Sequence, residues 1–374
     1  MLPYGRQTID EDDIAAVVEA LRAPLLTCGP LVARFEAALA KRVAAPFASA
    51  CSSGTAALHL AYAALGIGDG DEIITTPITF SATAAAAYYV GAKVRFADVD
   101  PTTGNLDPAS VEALITSRTR AIVPVHLTGM PVDLAELSAI AKRRGLRVIE
   151  DACHALGASY RGVPIGGGES DAVVFSFHPV KHITTGEGGA VITRDHDLKR
   201  RIDRLRQHGI VREAGAWAYE VVELGWNYRL SELACALGLA QLAKLDTFIA
   251  RRRELVAQYR VELAGIAGVD VAAEPADRKS AYHLFAVAID FDRFDTTRQR
   301  VIDDLAAADI GTQVHYIPLL HHPLHVARNP DQRTGPGAAR YFARTLSLPL
   351  FPAMSSDDVS RVAVQLRRVL GVKP

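Results

Sequence analysis

The sequence predicts an α/β protein of two domains. A large one, residues 1–245, is built on a mostly parallel seven-stranded sheet, and a smaller C-terminal α/β domain covers 246–374. Three observations carry this prediction. The chain has 374 residues, 49% of them apolar, which supports a large core and exceeds one typical domain. Its first half alternates short β-rich runs with helix-patterned segments, as parallel strands joined by helical crossovers do. From about residue 198 that alternation gives way to long helical patterns.

The expected strands are "PFASAC" (46–51), "DEIITT" (71–76), "KVRFAD" (93–98), "RAIVPVH" (120–126), "LRVIED" (146–151), "DAVVFSF" (171–177) and "GGAVIT" (188–193). Each is short, rich in apolar or β-branched residues, and bounded by turn formers. Helix-like stretches at 54–65, 80–90, 107–117 and 132–144 separate the first five, with capping residues at starts such as "SGTAALHLA" and "DPASVEAL". The last two strands share only a short link, so mixed strand orientation is expected on that side of the sheet. Further on, "LKRRIDRLRQHG" reads as a basic helix and "RLSELACALGLAQLAKLDTFIARRRELVAQYRVELAGI" as one long helix from which the small domain hangs. That domain is expected to hold a strand "SAYHLFAVAID" (280–290), a helix 296–308, a strand "TQVHYIPL" (312–319) and a final helix 355–369. The N-terminal segment is free to pack on it.

A net charge of -1 gives no sign of a nucleic-acid or anionic-membrane partner. The opening "MLPYGRQTIDEDDIAAVVEAL" lacks a basic segment ahead of an apolar core, so no signal peptide is expected. The most apolar run, "SATAAAAYYVGAKV", is too short to cross a bilayer. Cys28, Cys51, Cys153 and Cys235 show neither CxxC pairing nor metal-ligand spacing, which leads us to expect no metal and a reducing, cytoplasmic setting.

In parallel α/β sheets ligands gather at the carboxyl ends of strands, and four such ends carry polar or aromatic groups here. In "CSSGTAAL" (51–58) a strand ends on small residues and a helix starts at Gly54–Thr55, offering free N–H groups and hydroxyls to an anion. Ordinary N-capping explains the same residues. In "RVIEDACHALG" (147–157) two adjacent acids, Glu150 and Asp151, end an apolar strand, and alternation sends only one of them into any given site. His154, three residues on, is either a pocket residue or a satisfied core histidine. In "FSFHPVKHITTGEGGAV" Ser176 ends a strand and Lys181 follows in the loop. That lysine is either a solvated surface charge or an amine for carbonyl chemistry. In "TPITFSAT" (76–83) Phe80 is either core or a plate for a planar ligand.

An anion cradle, an acid, a lysine and an aromatic plate are what pyridoxal 5'-phosphate requires. Its aldehyde needs a lysine, its phosphate a helix N-terminus, its ring a stacking surface and its ring nitrogen a carboxylate.

With those motifs in view, the sequence resembles the fold-type-I, pyridoxal-phosphate-dependent sugar-nucleotide aminotransferases of the DegT/StrS type. The resemblance runs nearly end to end, through "SGTAAL", "TPITFSATA", "FADVD", "PVHLTGMPVDL", "VIEDACHALGA", "FSFHPVKHITTGEGGAV", "GWNYRLSELACALGLAQL" and "SLPLFP". It implies an aspartate-aminotransferase-like fold and a set of roles. Lys181 carries the cofactor and moves the proton, and Asp151 pairs with the ring nitrogen. Phe80 stacks on the ring, with His154 near its other face or O3'. Gly54, Thr55 and Ser176 bind the phosphate. Asn227 reaches that phosphate from the neighbouring subunit of a homodimer. Arg229 is a candidate for holding substrate charge, and His315 and Tyr316 of "HYIPLLHHP" belong to a loop at the mouth of the site. The implied substrates are glutamate, leaving as 2-oxoglutarate, and a nucleotide-linked 4-keto-6-deoxy sugar that takes the amine at C4. Two positions depart from the family pattern: His182, where proline or asparagine is common, and Cys28, where glutamine is common.

Rival readings have different signatures. A sugar dehydratase of the same family carries histidine in place of the lysine. A non-catalytic sugar-binding relative is expected to have lost the lysine or the acid. A metal site on His315, His321 and His322 lacks acids or cysteines at ligand spacing. The run "IGGGES" (165–170) precedes a strand, and reads as a turn and not as a phosphate loop.

Overall fold

The computed structural model describes residues 1–212, 215 and 217–372. Two helices, α1 (Glu11–Arg22) and α2 (Pro30–Arg42), precede the main sheet. Its strands are β1 (Phe47–Cys51), β2 (Glu72–Thr75), β3 (Lys93–Phe96), β4 (Thr119–Val123) and β5 (Arg147–Asp151), then β8 (Ala172–Ser176) and β9 (Gly189–Thr193). A small hairpin, β6 (Ser159–Tyr160) and β7 (Val163–Pro164), lies between β5 and β8. All seven strands expected from the sequence form, in the order β1-β9-β8-β5-β4-β2-β3. Only β9 runs against its neighbours, antiparallel to both β1 and β8, because a short loop returns the chain directly from β8.

The crossovers are α3 (Gly54–Ala64), α4 (Ala82–Tyr89), α5 (Pro108–Leu114) and α6 (Leu134–Arg144). Their starts are fixed by capping side chains: Ser53 accepts from the Ala56 N–H, Asp107 from Ala109 and Asp133 from Glu136. Gly145 in the left-handed region, φ 65°, ends α6 and sets up β5. Helix α3 is buried nearly all round, so its N-terminus points along the sheet toward the strand ends from inside the core.

After α7 (His196–Leu205) and a two-strand ribbon, β10 (Ile210–Val211) and β11 (Glu220–Val221), the expected long helix is two. Helices α8 (Glu232–Ala243) and α9 (Leu245–Glu262) bend by 57° at Lys244, whose Nζ lies 2.6 Å from Asp10 and 2.7 Å from Asp13. Gln241 also donates to Asp13 at 2.7 Å, so α1 is pinned across the bend. Among the described residues no single helix is long and apolar enough to cross a membrane.

A second core lies against α9, α10 (Arg298–Ala307) and the last helix, α13 (Ser356–Val369), with Tyr259 and Phe285 stacked at 4.5 Å. Between α10 and α13 run α11 (Pro323–Arg328) and α12 (Pro336–Arg344). The sheet of this core is β12 (Val269–Asp270), β14 (Phe285–Ile289) and β15 (Thr345–Leu348); β13 (Arg278–Lys279) instead joins the β6 hairpin. Leu2 bridges Ile310, which ties the N-terminal segment to this layer.

Two expected strands are corrected. The run 280–290 is strand only from Phe285, because Tyr282 takes a positive φ of 45° and Ala281 and Leu284 bond instead to the turn at Gly129 and Thr128. The run 312–319 is not a strand. Gln313 alone bridges Ser347, while the Leu319 N–H turns to the Pro77 carbonyl and draws the segment toward the large sheet. The pairing it was expected to supply comes from β15, whose pattern "TLSL" is buried on both faces.

Candidate active site

Strand β5 delivers two carboxylates to opposite environments. Glu150 turns into the core and meets His126, Oε2 to Nε2 2.7 Å; the His126 Nδ1 already accepts the Val132 N–H, so Nε2–H donates to Glu150. Asp151 faces the strand ends. Its Oδ2 accepts from Thr83 Oγ1 at 2.7 Å and its Oδ1 from the Cys153 N–H at 3.2 Å. Those are its hydrogen bonds among the described residues, although it is buried. A buried carboxylate without a cation is costly, so its environment asks for a positively charged partner.

The anion cradle forms where β1, β8 and β9 meet. A Cβ on Gly54 would lie 3.0 Å from Ser176 Cβ and 3.3 Å from its Oγ, so helix α3 starts against that serine. A Cβ on Gly189 would lie 2.4 Å from the Ser53 carbonyl oxygen; only glycine lets β9 approach the helix start this closely. Thr55 follows in the first turn of α3. Free N–H groups, the helix dipole and the Ser176 hydroxyl thus converge.

Lys181 sits in the loop that β8 and β9 bracket, its N–H bonded to the His178 carbonyl. Its Nζ points inward and lies 3.5 Å from His283 Nε2. Burial holds its pKa below the ordinary lysine value, while Cys153 and Asp151 pull the other way. Four histidines close around it. Burial pushes His154, His182 and His283 well below the usual imidazole range, with the nearby Lys181 charge adding to it; His315 is pushed down to about 3 for the same two reasons. All four are therefore neutral imidazoles at neutral pH.

His154 Nε2 lies 3.2 Å from Tyr316 Oη, and its Nδ1 is buried without a partner among the described residues. Tyr316 lies nearly parallel to the His154 ring at 6.1 Å, and 6.3 Å from the ring of Phe80. Phe80 is 62% exposed, an aromatic face left open at the mouth. His315 turns inward to Ser347 Oγ at 2.9 Å, so the three histidines 315, 321 and 322 do not share a ligand geometry. His182 turns to the Ala281 carbonyl at 3.1 Å. The structure therefore gathers Gly54, Ser176, Asp151, Lys181, His154, Tyr316 and Phe80 into one cluster at the strand ends. Asn227 is exposed beside Tyr228, whose carbonyl accepts from the Ser52 N–H at the same cradle; Arg229 is partly buried on the same segment. Cys28 is exposed at φ 56° in the turn before α2.

Two contributors escaped the sequence reading. Thr83 lies in the quoted "TPITFSAT", one helical turn after Thr79, to which it bonds at 2.9 Å; that spacing was the available signal. His283 has no local signal, because only the folded second core brings it to Lys181. The residues fit pyridoxal 5'-phosphate. The cradle is one that a Cβ would fill, the acid has no ion-pair partner among the described residues, and the buried Nδ1 atoms of His154 and His283 have no hydrogen-bond partner among them.

A model of the DegT/DnrJ/EryC1/StrS aminotransferase family matches residues 7–367. The chain is 38% identical to the UDP-4-amino-4,6-dideoxy-N-acetyl-beta-L-altrosamine transaminase of Campylobacter jejuni, over 99% of this chain and 98% of that one. Among solved structures it is similar to Helicobacter pylori PseC, an aminotransferase of pseudoaminic acid biosynthesis, with TM-score 0.94, 31% identity and 99% of each chain covered. It is also similar to the PLP form of the putative sugar aminotransferase Spr1654 of Streptococcus pneumoniae, with TM-score 0.92, 28% identity and coverage of 99% and 98%.

Proposed function

Because the chain belongs to the DegT/DnrJ/EryC1/StrS aminotransferase family, a family of pyridoxal-phosphate-dependent enzymes, we propose that it moves an amino group from glutamate to C4 of a 4-keto-6-deoxy nucleotide-linked sugar. The observation that carries the residue assignment is that Lys181 lies near enough to buried Asp151 to feel its charge, beside an anion cradle.

When bound, the cofactor supplies an aldehyde that takes up the amine and a ring that accepts electrons. Lys181 Nζ is its covalent anchor and, once free, the base and acid that move the proton; a buried amine of lowered pKa suits both tasks. Asp151 would hold a proton on the ring nitrogen, and Thr83 and the Cys153 N–H hold Asp151. Gly54, Thr55 and Ser176 would bind the phosphate, Phe80 would stack on the ring, and His154 would lie near its other face or O3'. Asn227 completes the phosphate site from a second copy of the chain. Exposed Trp217 (93%) and Leu224 (90%), on the segment leading to Asn227, support such a homodimer. Arg229, His315 and Tyr316 contact the sugar nucleotide. The transaminase named for Campylobacter jejuni supports a UDP-linked sugar of this class. A cytoplasmic setting accords with the unpaired cysteines.

The purified, loaded protein is expected to be yellow, with a visible band that shifts when glutamate is added. Borohydride is expected to fix the cofactor to the peptide containing Lys181. Turnover by Lys181→Ala would overturn the assignment of the lysine. A panel of 4-keto sugars on different nucleotides then names the acceptor.

A further inference from the structure

His283 is the one buried ring nitrogen within hydrogen-bond distance of Lys181 Nζ among the described residues. It comes from the second core, where nothing in the catalytic motifs would place it. Its backbone is held with unusual care. Buried Arg252 of α9 donates from one nitrogen to the carbonyls of Tyr282, His283 and Leu350, and has no carboxylate partner among the described residues. The Ala281 and Leu284 N–H groups bond to Gly129 and Thr128, and the Tyr282 N–H bonds to Ser280 Oγ. A Cβ on Gly129 would lie 2.7 Å from the His154 carbonyl oxygen and 3.0 Å from the His283 nitrogen, so the two histidine loops pass one another through a gap that only glycine leaves. Their rings are 4.4 Å apart. The His283 Nδ1, by contrast, has no partner among the described residues. The side chain is thus fixed through its main chain, and its Nε2 edge is turned to the lysine.

We propose that His283 is the positioning residue for Lys181: its Nε2 accepts an N–H of the free lysine and keeps that nitrogen aimed into the cradle while the amino group is on the cofactor. This rests on the reading of Lys181 as the cofactor-carrying amine. A carboxylate at this place would pair with the ammonium and hold it charged. A neutral imidazole orients the amine and leaves its proton easy to remove. The groups facing the pair are consistent with that. His154, His182, His283 and His315 are neutral, Arg252 bonds the His283 carbonyl, and Asp151 and Cys153 lie close enough to Lys181 to favour its charged form.

The test uses protein loaded with pyridoxamine 5'-phosphate, in which the Lys181 amine is free. The pH dependence of its acylation by acetic anhydride, read by mass spectrometry of the Lys181 peptide, gives the titration midpoint. Asparagine at 283 reaches only the Nδ1 position, phenylalanine keeps the ring without an acceptor, and glutamine restores an acceptor near Nε2. The midpoint is expected to fall by about one pH unit in His283→Asn and His283→Phe and to return in His283→Gln. The glutamate half-reaction is expected to slow about tenfold in the first two variants, with KM within about twofold. The two loss variants differ in volume and polarity, so either one that folds decides the matter. A wild-type midpoint in the loss variants, with the Lys181-dependent visible band intact in the aldehyde form, would overturn this inference and leave the aminotransferase reading standing. A wild-type protein whose visible band does not depend on Lys181 would overturn both.

Discussion

Glu150 and Asp151 are neighbours on one strand, both buried carboxylates, and the fold treats them in opposite ways. Glu150 is closed off by a core histidine that is itself oriented by a backbone N–H. Asp151 receives only a hydroxyl and one N–H, and its outer side faces Lys181 and the cradle. Strand alternation makes the difference, since a one-residue step reverses the face. A buried acid whose partners all belong to the chain serves the fold. One left short of a cation serves a ligand.

The sharpest way to break this comparison begins at the lysine. Lys181→Ala is expected to lose at least about 10³-fold in turnover, because both anchoring and proton transfer go with it; single-turnover spectra with glutamate would measure this. Exchanging roles at the acids comes next. Asp151→Asn is expected to weaken cofactor binding by about ten- to a hundredfold, and to leave the unloaded protein as stable as before or more so. Glu150→Ala is expected to do the reverse, costing about 1–3 kcal/mol in urea unfolding of the unloaded protein while the cofactor Kd stays within about twofold. Equal effects of the two substitutions on binding would erase the distinction.

A smaller effect, spread over the site, is acid sensitivity. His154, His182, His283 and His315 have folded pKa values below the unfolded value, so below about pH 6.5 the unfolded chain takes up protons that the native one does not. Stability is therefore full above that pH and is lost as the pH falls through it toward 5. The limiting slope for four such groups is about 5 kcal/mol per pH unit. Urea midpoints from pH 8 to 5 would show it, and His182→Asn is expected to remove about a quarter of the slope. Smallest is Gly54→Ala, whose methyl must push Ser176 aside by a few tenths of an ångström. About 1 kcal/mol, or roughly fivefold in cofactor Kd, is expected.

Much of this was legible in the sequence, for a physical reason. Strands and their end residues are set by local pattern, so the sequence alone places Asp151, Ser176, Gly54 and Lys181 on one edge of a sheet. Phe80 and His154 followed from the same edge. The break at Lys244 was not legible, because its lysine meets Asp10, the cap of α1, and Asp13 within it, both far away in sequence. The strand at 312–319 failed because "TQVHYIPL" alternates well enough for a strand, while His315 and Leu319 find better partners across the chain. Thr83 was within reach, in a motif read only for its aromatic. His283 was not, since its approach to Lys181 is made by a turn at Gly129 and an arginine from α9.

The reversed strand β9 has one more consequence, which concerns time. Among the described residues strand β1 pairs in the sheet with β9 alone, and Phe47 waits for Thr193. During synthesis the first strand must stay unpaired until nearly all of the sheet has emerged, and such long-range closure is slow. Helix α3 starts against Ser176 of β8, and β9 pairs between β1 and β8. The last strand to arrive is thus the one that brings the two halves of the cradle together, and a nascent chain that can capture the cofactor has already finished its sheet.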